Sequence, residues 1–94
     1  MNTMFVKDHV KYVKVVITDG GYVGTTKRLS FEGEPSKENA KKIIKALKDF
    51  IIEEIDTWEY EFPVVNIIFK GDHFSFEDKK LHNDATLESY RFEL

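Results

Sequence analysis

Residues 36–56 read SKENAKKIIKALKDFIIEEID, and this stretch decides the fold. Ala40, Ile43, Ile44, Leu47, Phe50, Ile51 and Ile55 recur at three- and four-residue intervals, which lines them along one side of an α-helix. Ser36 stands where an N-cap belongs, its hydroxyl placed to accept an orphan amide of the first turn. Just before it, Glu32-Gly33-Glu34-Pro35 stops whatever precedes. The spacing therefore predicts one amphipathic helix over residues 36–56. Its apolar stripe needs a second layer to cover it.

The segments on either side supply that layer. Residues 10–18 are rich in β-branched side chains and read as a strand. Asp19-Gly20-Gly21 follows, a strong hairpin turn because tight turns need positive φ. Residues 22–31 then answer as the returning strand, giving a hairpin over 10–31. Its register stays open between two choices. A Gly20-Gly21 turn sets Val16 against Thr25, and an Asp19-Gly20 turn sets Val16 against Val23. Beyond the helix, residues 64–70 and 73–78 read as a second hairpin closed by Gly71-Asp72. That register sets Phe69 opposite Phe74 and Ile67 opposite Phe76, all on one face. Residues 86–94 alternate Tyr90, Phe92 and Leu94 against Ser89, Arg91 and Glu93, which reads as a short last strand over 86–93, with a helical turn as the alternative. The expected fold is α+β: a single small domain, ββαββ(β), with one amphipathic helix packed on an antiparallel sheet.

Composition narrows the functional classes. The chain has 94 residues, no cysteine, 41% hydrophobic and 33% charged residues, which is globular and not disordered. Without cysteine there is no disulfide or thiolate metal site. No apolar run exceeds three residues, so no membrane-spanning helix is expected. No charged segment leads into an apolar run at the start, so no secretory signal is expected either, and the localisation expected is cytoplasmic. The net charge of −3 hides an asymmetry. Up to Lys48 ten bases face five acids; after it four bases face twelve acids. Such a split suits two faces of opposite sign.

The search for chemistry returns little. No serine or threonine sits in a nucleophile-elbow pattern, and His73, Ser75 and Glu77 on one strand face point outward in parallel. His9, His73 and His82 are scattered, and His82-Asn83-Asp84 is a ligand set only with a fourth group nearby. Gly20, Gly21 and Gly24 lack the lysine ending and following helix of a phosphate loop. The expectation is no enzyme, no cofactor and no metal.

The helix charges say more. Lys37, Lys41, Lys45 and Lys48 crowd one narrow arc, and Glu53, Glu54 and Asp56 crowd the C-terminal end. Like-charged pairs at three and four residues outnumber opposite ones, each worth roughly 0.2–0.5 kcal/mol. Acids at the C-terminus also oppose the macrodipole. Helix stability does not account for this order, whereas a charged partner does. Ile52 projects on the lysine side and Glu54 projects into the apolar stripe. Trp58 reads as closing the end of the core, or else as joining Ile52, Tyr60 and Phe62 in an aromatic patch ringed by acids.

The leading expectation is thus a small non-enzymatic protein-binding module, a bacterial or phage accessory or inhibitor protein acting through charged surface. Its partner-binding candidates are Lys41, Lys45, Lys48, Ile52, Glu53, Trp58, Glu59, Tyr60 and Glu61. The alternative is a nucleic-acid-binding domain that joins Lys11, Lys14, Lys27 and Arg28 of the first hairpin to the helix lysines, with Tyr12 and Tyr22 to stack on bases. Self-association is a further option. A small enzyme with a pocket under the hairpin ranks last, because so short a chain has little room beside its core.

Overall fold

The computed structural model describes residues 9–94. The elements run β1 (His9–Asp19), β2 (Tyr22–Ser30), α1 (Lys37–Ala46), α2 (Lys48–Trp58), β3 (Pro63–Ser75) and β4 (Lys80–Glu93). The four strands form one antiparallel sheet in the order β2-β1-β3-β4. The α+β architecture expected from the sequence is present, with four strands.

The first hairpin turns at Gly20-Gly21, whose φ angles of 57° and 93° are those a two-residue turn requires. Asp19 pairs with Tyr22 and Thr18 with Val23, but a bulge then shifts the register. Val16 therefore meets Thr26, one position beyond the sequence reading, and Gly24 is the extra residue. A Cβ at position 24 would displace the ring and hydroxyl of Tyr60.

The second hairpin is where the sequence misleads. Gly71-Asp72 is not a turn; β3 runs straight through it to Ser75 and turns at residues 76–79. Phe69 pairs with Val13 on one side and Glu88 on the other, while Phe74 pairs with Leu81. The expected strands over 64–70 and 73–78 are one strand, and the expected last strand over 86–93 is the end of a longer one. Gly71 serves a different need. The backbone of β1 crosses so close that a Cβ at 71 would strike the His9 carbonyl oxygen. The Phe69–Phe74 pair and the burial of Phe76 are thereby corrected: Phe74 is half-buried and Phe76 is 64% exposed.

The helix forms as its stripe dictates. The Asn39 amide donates to Ser36 Oγ at 3.0 Å, the N-cap bond. Leu47, at φ −101° and ψ 14°, divides α1 from α2. The hydrogen-bond ladder nonetheless passes through it, from Leu47 N to Ile43 O at 3.0 Å and from Ile51 N to Leu47 O at 2.9 Å. Ala40, Ile43 and Ile51 are buried against Val13, Val15 and Ile17 of β1 and Val65, Ile67 and Phe69 of β3. Those six strand residues are fully buried. Each contributes roughly 1.5–3 kcal/mol relative to exposure. Phe31 and Tyr90 meet the Phe69 ring edge-on at 5.5 and 6.0 Å. The helices cover one face of the sheet; no described element packs over the other.

Candidate functional site

Period-two alternation and the strand register sort the candidate residues onto two opposite surfaces.

The helix surface carries Lys41, Lys45 and Lys48, all exposed, with Ile52 46% exposed among them. Beside this seam lies a groove of about 370 Å³ between the helices and the chain end. Ile44, Ile51, Ile52, Ile55 and Leu94 wall it, and Lys45 and Lys48 stand at its rim. Leu94 is 60% exposed, so the groove is open and apolar. Lys11 pairs with Asp72, His82 with Asp78 and Arg91 with Glu93, and among the described residues Lys41, Lys45 and Lys48 take part in no ion pair.

At the acidic end Ile52, Trp58 and Phe62 are exposed, as the aromatic patch read from sequence needs, but Tyr60 leaves it. Trp58 does not close the core; it is 63% exposed at the end of α2. Tyr60 turns the other way, inward onto β2. Its hydroxyl lies 2.7 Å from Thr25 Oγ1, which in turn donates to Glu54 Oε1 at 3.1 Å. That chain accounts for Glu54 within the apolar stripe: its carboxylate, half-buried, has a hydroxyl to accept from. Glu53, Glu59 and Glu61 are exposed. The amides of Glu61 and Phe62 donate to the Asp19 carboxylate at 3.1 and 2.7 Å, which pins this loop to the first hairpin. Phe62, 68% exposed, lines a second, more polar cleft of about 580 Å³ with Thr18, Val64, Asn66 and Arg91.

The basic residues of the first hairpin also separate. Lys27 lies on the helix face, its Nζ 4.9 Å from the Phe50 ring centroid. Lys11 pairs with Asp72 at 3.1 Å. Lys14 and Arg28 are cross-strand partners on the open face, away from the helix lysines. The continuous basic surface expected from Lys11, Lys14, Lys27, Arg28 and the helix stripe is therefore not one surface.

What Lys14 and Arg28 join is a set the sequence reading did not assemble. Arg28 lies over the Tyr12 ring, 4.1 Å from its centroid. The Tyr12 hydroxyl donates to the Asp84 carboxylate. Tyr12 pairs with Lys70 of β3, and Lys70 Nζ donates to Thr86 Oγ1 at 3.0 Å. The Tyr12 hydrogen bond, then the fields of Lys70, Arg28 and Lys14, hold the Asp84 carboxyl below the usual carboxylate range. The same bond, made to the un-ionised phenol, raises Tyr12 above the ordinary tyrosine value. Lys70 escaped notice because the sequence reading ended its strand there. Asp84 escaped because it falls between the strands expected over 73–78 and 86–93. His82-Asn83-Asp84 do not converge: His82 Nε2 lies 3.2 Å from Asp78, and Asp84 faces Tyr12.

No family model matches the chain, and no curated protein or solved structure matches it either.

Proposed function

We propose that the protein is a non-enzymatic protein-binding module whose docking surface is the helix seam, and that a second copy of the chain fits it. The observation that carries this reading is the open apolar groove rimmed by Lys45 and Lys48. An occupant needs apolar side chains flanked by acids. The helix pair itself presents that pattern when read in the reverse direction. Lys41, Lys45, Lys48, Ile52 and Asp56 follow one another along the seam at helical spacing, and Glu59 follows just past the helix end. Laid antiparallel about an axis near Phe50, two copies set Lys41 against Glu59, Lys45 against Asp56, and Lys48 beside Ile52. The seam from 41 to 59 is about 27 Å long at the helical rise. A two-fold interface of this kind repeats every pairing twice. It also relieves the charge order that is unfavourable inside a single helix, because lysine-rich and acid-rich ends then meet across the copies.

Sedimentation equilibrium tests this. The wild-type chain is expected to be dimeric at micromolar concentration. Reversing Lys41, Lys45 and Lys48 to Glu gives an all-acidic seam, and reversing Asp56 and Glu59 to Lys gives an all-basic one. Each variant alone should be monomeric, and an equimolar mixture should form a one-to-one heterodimer. A wild type that stays monomeric, or an all-acidic variant that still dimerises, overturns the second copy as partner.

A further inference from the structure

The open face of the sheet holds an arrangement that dimerisation through the helices leaves unused. Three consecutive rows of side chains cross it. Thr26, Val16, Asn66 and Arg91 form one row; Arg28, Lys14, Ile68 and Ser89 the next; Ser30, Tyr12, Lys70 and Thr86 the third. Every row carries at least one cation, and successive rows stand about 7 Å apart along the strands. Glu93 beside Arg91 and Asp84 beside Tyr12 are the acids this face carries among the residues named.

Asp84 occupies an unusual place. The β3–β4 register slips between Gly71 and His73, and Asp84 sits at the slip with φ 59°. A bulge of this kind re-aims a side chain, and aspartate is among the few residues that tolerate the left-handed region. The carboxylate is thereby delivered to the Tyr12 hydroxyl, within the fields of Lys14, Arg28 and Lys70. Ion pairs exposed to solvent contribute little to stability, so stability alone is a weak reason for this convergence. A carboxylate there matches one phosphodiester in charge and in its two acceptor oxygens.

We infer that the open sheet face binds the phosphates of single-stranded nucleic acid along the rows of Arg91, Lys14 with Arg28, and Lys70, and that Asp84 holds one phosphate position in the free protein. A strand of phosphates running parallel to β1 meets a cation at each row. Ile68 and Val64, half-buried on the same face, offer apolar contact to sugars and bases. A duplex is disfavoured because no described helix or further strand stands on this face to enter a groove.

The experiment is fluorescence anisotropy with a labelled oligothymidylate. Three phosphates engaged on a single strand predict about twenty-fold weaker binding at 200 mM salt than at 50 mM. Asp84→Asn keeps a side chain suited to positive φ and removes the competing charge, so it should bind several-fold tighter with an unchanged thermal midpoint. Lys14→Gln with Arg28→Gln should bind many-fold weaker. The all-acidic helix variant should bind as the wild type does, since its changes lie on the opposite surface; this separates the inference from the dimer reading. No binding at low salt overturns the inference. So does an Asp84→Asn variant that binds no tighter, or polyglutamate displacing the oligonucleotide at equal charge concentration, which would assign the face to acidic peptides.

Discussion

Gly71 shows how one residue carries two meanings. In sequence, Gly-Asp between apolar runs reads as a tight turn. In the structure it is a strand interior where the His9 carbonyl leaves no room for a Cβ. Gly71→Ala should therefore push β1 off β3 and cost about 3 kcal/mol, the upper end for overpacking. Urea unfolding of the variant measures it; a loss within experimental error would mean the strands part there without penalty. The ambiguity is physical, because the absence of a side chain permits both positive φ and close approach. Nothing local distinguishes them. The actual turn at 76–79 contains no glycine, and Lys79 takes the left-handed conformation at φ 53°. By contrast the turn within Asp19-Gly20-Gly21 is legible between two clear strands, and the structure selects Gly20-Gly21, both at positive φ, from the two choices the sequence leaves open.

At the scale of the element, the helix was the most legible part and its irregularities the least. The apolar stripe is fixed by spacing alone and meets the sheet as expected. The division at Leu47 has no mark in the sequence, since no glycine or proline stands near it. Glu54 looked misplaced because its partner, Thr25, comes from β2 across a bulge that no residue pattern announces. The helix end is held by a relay: Tyr60 donates to Thr25, and Thr25 donates to Glu54. Tyr60→Phe removes one bond from a half-buried hydroxyl and should cost about 1 kcal/mol. Glu54→Gln retains an acceptor for Thr25 and should change stability by less than about 0.5 kcal/mol. Thermal melts of the two variants compare them directly, and equal losses would deny the relay its order. For the candidate surfaces, the helix lysines and Ile52 were found from the helical wheel. Lys70, Asp84 and Leu94 were not, because each depends on which strand lies beside which.

The body formed by the described residues is long for its size. It measures 54 × 24 × 17 Å, with a radius of gyration of 15.3 Å. A compact chain of this length would have about 12 Å. The elongation follows from β3 and β4, of 13 and 14 residues, outrunning the helices. It also sets the two proposed surfaces back to back, one on each side of a single sheet.

The strand order β2-β1-β3-β4 bears on how the chain reaches this state. The central seam joins Asp19 to Pro63 and His9 to Asp72, residues far apart in sequence, while both flanking seams join neighbours. Closing the long loops between β1 and β3 costs chain entropy before any apolar contact compensates it, so this seam governs the rate. Hairpins form in about 1–10 μs, and the assembled sheet should take milliseconds or longer. Stopped-flow refolding should show Val13→Ala and Ile67→Val slowing folding, with Leu29→Ala acting chiefly on unfolding. A chain still emerging from the ribosome makes β1 and β2 early, and until β3 arrives Val13, Val15 and Ile17 lack their cross-strand partners Phe69, Ile67 and Val65. Nascent lengths ending just after α2 are accordingly the ones a holdase chaperone should retain.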